Sequence, residues 1–295
     1  MADKWFKDSN KRNSSFYAGE KNNIFRKLSI TNWIIIFNVL IYLLVIVLIN
    51  TLGEKVLYWF AITPNEFFNG AIWQALTSVF THIWFPHLLF NMISLFFIGN
   101  FVERIIGRKR FFNFYLISGI LASVFFAVLS FYFGMNGLGE KIFANPTQSA
   151  VGASGAIFAL LGLMAVLTPK NKVYLVAGPL IALIIQTFLS YLYPNASFLS
   201  ILNFVIVFYF FLSVFSIFSF NPVMRRIAFP IEMPLWLLPI VAIVPLVILG
   251  ILFPLPIGNM AHLGGLLCGL AYGFYIKNKY KKKISMINKY FLRQS

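Results

Sequence analysis

The chain has 295 residues, 60% apolar and 11% charged, with 24 Lys and Arg against 8 Asp and Glu, a net charge of +16. A soluble domain is nearer half apolar and a quarter charged, so a mean hydropathy of +0.82 excludes one and indicates a polytopic membrane protein. The single cysteine, Cys268, excludes an internal disulfide and a cysteine-based zinc site, and its apolar surroundings make it a packing residue.

Residues 1–29 form a polar, basic N-terminal tail carrying Lys4, Lys7, Lys11, Arg12, Lys21, Arg26 and Lys27. The apolar run that follows is long enough to span and has no clear small-residue cleavage site, so a cleaved signal peptide is not expected. A bilayer core takes about 20 apolar residues per helix. Eight segments meet this, near 30–52, 86–104, 110–133, 151–168, 173–193, 198–220, 233–253 and 259–277. The predicted fold is all-α: a helical bundle in the membrane over 30–278, closed by a basic C-terminal tail at 279–295.

The charges agree with an even count of spans. With a cytoplasmic N-terminus, the inside segments hold the N-terminal tail, Arg104 to Arg110, Lys170/Lys172, Arg225/Arg226 and the stretch from Lys277 to Arg293. Only Lys55 and Lys141 of the 24 fall outside. Positive residues favour the cytoplasmic side, so both termini are expected there, in the cell membrane. The net charge thus reports topology and contact with lipid head groups, and no nucleic-acid partner is inferred. The outer loop at about 53–85 carries Trp59, Phe60, Phe67, Phe68, Trp73, Phe80 and Trp84. A loop so aromatic belongs at the interface, resting against protein.

The polar residues that could carry chemistry gather at the outer face. His82 ends the long loop, His87 opens the second span, and Asn91 follows at i+4 on the same helical face. Ser154 lies near the outer end of the fourth span and His262 one turn into the eighth, 108 positions later. A hydroxyl in a bilayer is a poor nucleophile without a base beside it, and an embedded histidine is costly without a polar partner. Gly265, Gly269 and Gly273 extend Ala261 into a stripe of small residues on the eighth span. Gly152, Gly155, Ala159 and Gly162 offer another on the fourth. Small residues let helices approach backbone to backbone, which would bring Ser154 within reach of His262.

This suggests a dyad in which His262 takes the proton of Ser154 and later delivers it to a leaving amine. No embedded carboxylate is placed to orient His262, so a triad is not expected. The Asn91 amide, His87 and the Ser154 N–H at a helix start are candidate oxyanion donors. Asp occurs only at Asp3 and Asp8, which excludes an intramembrane aspartyl pair. No HExxH or Walker A sequence occurs.

At these residues the chain resembles the rhomboid family of intramembrane serine proteases. Gly152-Ala153-Ser154-Gly155 is similar to the family's GxSG, and Ala261-His262 with Gly265 and Gly269 to its AHxxGxxxG. His82, His87 and Asn91 lead into the second span as in the family, and Phe101-Val102-Glu103 with the basic stretch to Arg110 looks like the turn after it. The resemblance covers roughly 53–168 and 233–277. It implies cleavage of transmembrane segments of membrane proteins near the outer leaflet, without metal or cofactor. It implies Ser154 as nucleophile, His262 as base, His87 and Asn91 at oxyanion-stabilising positions, and His82 holding the loop near the site.

Three departures stand out. Trp73-Gln74 replaces the family's Trp-Arg, removing a cation that anchors the first loop. Phe158 replaces the Tyr on which the histidine stacks, keeping the ring face. Three spans, instead of one, separate Ser154 from His262, which keeps both on one side. The 233–253 span, with Phe253-Pro254-Leu255-Pro256-Ile257-Gly258 after it, is expected to act as the substrate gate; alternatively the 173–193 span does, and the later pair is inserted. A rhomboid-like pseudoenzyme that binds membrane proteins uncut is the second reading, disfavoured by the presence of both Ser154 and His262. A transporter is the third, disfavoured because the embedded polar groups lie at one surface and no repeat is evident. Oligomeric state is not legible.

Overall fold

The computed structural model describes residues 28–217, 222–252 and 258–292. The basic residues from Lys4 to Lys27 and Arg293, and the Phe253 to Ile257 part of the expected gate, lie outside the described residues.

Eight helices stand where the eight apolar segments were expected: α1 (Ile30–Leu52), α2 (Phe85–Ile106), α3 (Arg108–Phe133), α4 (Ser154–Leu167), α5 (Ala177–Leu192), α6 (Phe198–Ile217), α7 (Leu238–Leu252) and α8 (Asn259–Lys279). Of these, α1, α2 and α3 are long and apolar enough to cross a membrane by length and composition; α4, α5, α7 and the first part of α6 are shorter apolar helices. Every residue of α4 except Ser154 and Ala165 is buried. A helix apolar on all sides belongs at the centre of a bundle, and α8 and α3 pack around it.

The Phe101-Val102-Glu103 motif has a structural reason. The buried Glu103 carboxylate, on α2, accepts the Ile30 and Thr31 N–H groups (3.0 and 2.8 Å) and the Thr31 hydroxyl (2.8 Å) at the start of α1. Ser29 caps the same end, accepting the Asn32 N–H. An anion at a helix N-terminus meets unpaired N–H groups and the positive end of the dipole. Arg108 lies 3.7 Å from Glu103 and donates to the Leu28 carbonyl.

Two expected helix starts are corrected. Lys172–Val176 forms β1 and Pro230–Pro234 forms β2, paired antiparallel with Lys172 opposite Pro234 and Val176 opposite Pro230. The helices therefore begin at Ala177 and Leu238, not at 173 and 233. Val173, Tyr174 and Val176 suit an extended strand, and Pro230 and Pro234 cannot donate within a helix. An exposed Lys172–Glu232 pair (2.6 Å) and a Tyr174 hydroxyl to Glu232 bond (3.1 Å) decorate the ribbon. Glu232 raises the Lys172 pKa and Lys172 lowers that of Glu232; both side chains are exposed, so solvent screens the pair. The Leu235 N–H to Asn171 carbonyl bond (2.8 Å) and the Trp236 N–H to Pro169 carbonyl bond (3.2 Å) continue the contact. The chain thus leaves the core after α4 and returns before α7 at one place. The α5–α6 pair is a closed excursion, leaving α7 against α4 and α8.

The α5–α6 pair faces the start of α2 across a cavity of about 630 Å³ bordered by Trp84, Pro86, Phe90, Gln186 and Asn203. Phe90 and Phe210 meet at 4.1 Å between ring centroids.

The segment read as a basic C-terminal tail holds a helix, α9 (Lys281–Leu292). Ile284 is buried in the core, Lys283 donates to the Ile105 carbonyl at the end of α2 (3.1 Å), and Asn288 donates to the Leu167 carbonyl at the end of α4 (2.9 Å).

Candidate active site

Helix α4 begins at Ser154, after a turn that depends on Gly152. The Gly152 φ of +127° is a conformation that L side chains rarely adopt. A Cβ there would lie 2.7 Å from His87 Cε1, 2.9 Å from His87 Nε2 and 3.5 Å from Asn91 Nδ2. The glycine therefore lets His87 and Asn91 of α2 close on the residues leading to Ser154. Its N–H donates to the Ser78 carbonyl (2.8 Å), and the buried Ser78 and Ser123 hydroxyls pair at 3.2 Å.

His82 is fully buried beneath this turn. Its Nε2 lies 3.0 Å from Asn91 Nδ2 and 3.4 Å from the Ala153 N–H. Two donors on Nε2 make it the acceptor of a neutral ring. Burial, with His87 beside it, pushes the His82 pKa down to about 3 against a backbone hydrogen bond at Phe80. The His82 and His87 rings meet edge to face at 5.1 Å.

On the other side stands α8. A Cβ on Gly265 would overlap the Gly155 carbonyl, and one on Gly269 the Ala159 carbonyl; one on Gly162 would lie 2.6 Å from the Leu266 carbonyl. The two helices thus meet backbone to backbone, as the small-residue stripes predict. This seats His262, 8% exposed, with Nε2 2.8 Å from Ser154 Oγ. The ring stacks on Phe158 with centroids 4.6 Å apart and planes 20° from parallel. The Phe in place of Tyr keeps that contact. The arrangement can transfer a proton from a hydroxyl to an imidazole in a site largely closed to water.

The outer loops hold this geometry from above. Ile62 and Ala150 exchange both backbone bonds (3.0 and 2.9 Å). Gln74, fully buried, donates to the Tyr58 carbonyl (2.7 Å) and accepts the Thr63 N–H (3.0 Å). The loop that was expected to lose a cationic anchor is held by a neutral amide. Sequence reasoning missed the anchoring by Gln74 and Ser78 and the burial of Asn259 in α8. Gln74 and Ser78 stand one turn apart on one short helix, the one signal that could have paired them.

A Rhomboid domain model matches residues 69–202 and 205–279. Over 104 residues the chain is 38% identical to rhomboid protease GluP of Bacillus subtilis, covering 35% of this chain and 17% of that protein. Over 94 residues it is 35% identical to the putative rhomboid protease YdcA of the same organism, covering 32% and 40%. Over 153 residues it is 27% identical to rhomboid protease GlpG of Salmonella newport, covering 50% and 49%. The chain therefore spans at most half the length of these relatives.

Proposed function

This chain belongs to the rhomboid family, and we propose that it is an intramembrane serine endopeptidase that cuts transmembrane segments of membrane proteins near the outer leaflet. The observation that carries the reading is the 2.8 Å contact of Ser154 Oγ with His262 Nε2. In the mechanism, the Ser154 proton passes to Nε2 as Oγ attacks the scissile carbonyl. The C–N bond then breaks, the imidazolium gives its proton to the departing amine, and water hydrolyses the acyl-enzyme with His262 again as base. Asn91, His87 and the Ser154 N–H stabilise the tetrahedral oxyanion, and in a low-dielectric site such donors count for more than in water. Phe158 holds the ring plane. We place the docking of substrate at the cavity between the start of α2 and the α5–α6 pair, which Trp84 to Pro86 border and which none of Ser154, His262, His87 and Asn91 lines.

The charge distribution supports a cell-membrane protein with residues 30–278 as the membrane domain and both termini cytoplasmic. That puts Ser154 and His262 at the outer face.

Labelling of the detergent-solubilised protein with a fluorophosphonate, beside cleavage of a transmembrane substrate, tests the reading. Wild type is labelled and cleaves; folded Ser154→Ala and His262→Ala do neither. Normal cleavage by either variant would sink the dyad.

A further inference from the structure

Two buried polar atoms on α8 are left over from the dyad. On the dyad reading Nε2 accepts the Ser154 proton, which puts the ring's own proton on Nδ1, and Nδ1 is buried without a hydrogen-bond partner among the described residues. Three positions earlier Asn259, 5% exposed, donates its amide nitrogen to the Leu246 carbonyl of α7 (3.3 Å). Its Oδ1 is also buried without a partner among the described residues. One atom is a donor lacking an acceptor and the other an acceptor lacking a donor, and buried polar groups are rarely left so. Residues at i and i+3 share a helix face. The Asn259 amide is not free to turn away: Gly250 of α7 lies against it so closely that a Cβ would overlap.

We propose that Asn259 is the positioning residue of His262: its amide oxygen accepts the Nδ1–H across one bridging water molecule. This rests on the reading of Ser154 and His262 as a dyad. Before reaction the link fixes the tautomer that leaves Nε2 free to take the serine proton. After transfer the ring carries N–H on both nitrogens, and the amide dipole faces the new positive charge. A neutral amide does this without burying a second charge, which a carboxylate would do at high cost in a bilayer. Because the same amide holds α7, the orientation of the histidine is tied to the position of that helix.

The test is ¹⁵N-histidine NMR of the full chain in detergent, beside the rate of fluorophosphonate labelling, for wild type, Asn259→Leu and Asn259→Asp. The His262 signals are assigned by their loss in His262→Gln. Wild type shows the Nδ1–H tautomer. Asn259→Leu mixes the tautomers and labels Ser154 roughly tenfold or more slowly. Asn259→Asp, which burial keeps as the neutral acid, retains an acceptor oxygen while its O–H replaces the amide donor to Leu246, so it keeps the tautomer and most of the rate, and it serves if the Leu variant does not fold. An unchanged tautomer in Asn259→Leu, or loss of the Nδ1–H form in Asn259→Asp, overturns the proposal and leaves Asn259 as a tie to α7. The NMR signal does not depend on turnover. Wild type that is never labelled but shows the tautomer response rejects the protease reading and keeps the link.

Discussion

Gly152 is where backbone geometry and chemistry meet. A methyl group there would push His87 away from the turn and force a left-handed conformation on an ordinary residue. Gly152→Ala is expected to lower kcat/KM for a transmembrane substrate by about 10²-fold, the scale of losing one oxyanion donor, while the protein stays folded. Asn91→Ala is expected to lower turnover by a similar ~10²-fold; an unchanged rate would remove it from the oxyanion site. His82 makes a prediction in pH. Its ordinary pKa of 6.5 applies to the unfolded chain, and burial lowers the folded value to about 3. The unfolded chain therefore binds a proton that the folded one refuses. The His82 contribution to stability is complete above pH 6.5 and is lost as the pH falls toward 3. Thermal melts should be flat above neutrality and fall in acid, with a shallower fall in His82→Asn. Ser154, His262, His82, His87 and Asn91 were legible because motif and depth placed them together. Gln74 and Asn259 were not, because their contacts are made to backbone of other segments, at Tyr58 and Leu246, and no pattern in the chain reports those neighbours.

Among the elements, α4 and α8 carry the site, and their small-residue stripes were readable because small residues three or four apart share one helix face and let two helices approach closely. Gly265→Leu places a side chain where the Gly155 carbonyl stands. Overpacking costs about 1–3 kcal/mol where neighbours can yield; backbone on the facing helix yields little. Both the melting temperature and the labelling of Ser154 should fall, and full activity would contradict the close packing. The ribbon β1–β2 was missed because a short run of Val, Tyr and Leu reads equally as the start of an apolar helix. Helix α9 was missed for the opposite reason: its sequence is too polar for a span, and its anchoring by Ile284, Lys283 and Asn288 is tertiary.

For the whole molecule, alternation of charge across successive spans is the strongest constraint, and it is testable without substrate. In a Cys268→Ala background, Ser149→Cys should react with an impermeant maleimide from outside intact cells, and Lys289→Cys only after permeabilisation. The reverse pattern would invert the topology and put the dyad on the wrong side. The all-α bundle as a whole was legible from hydropathy, whereas the route of the chain between Ser154 and His262 was not, since three apolar segments can be ordered in space in several ways. The ribbon at Lys172–Val176 and Pro230–Pro234 resolves that route. Its two strands lie side by side, so the ends of a two-helix segment meet at one point. Joining Asn171 to Leu235 through a short glycine-serine bridge should leave fluorophosphonate labelling within a few-fold and abolish cleavage of transmembrane substrates. A segment whose two ends meet at one point, and whose further contact with the core is to α2 through Phe90 and Phe210, can be gained or shed by a lineage in one genetic event. On the proposed function, divergence in substrate choice would proceed on the α5–α6 pair while the dyad on α4 and α8 stays unchanged.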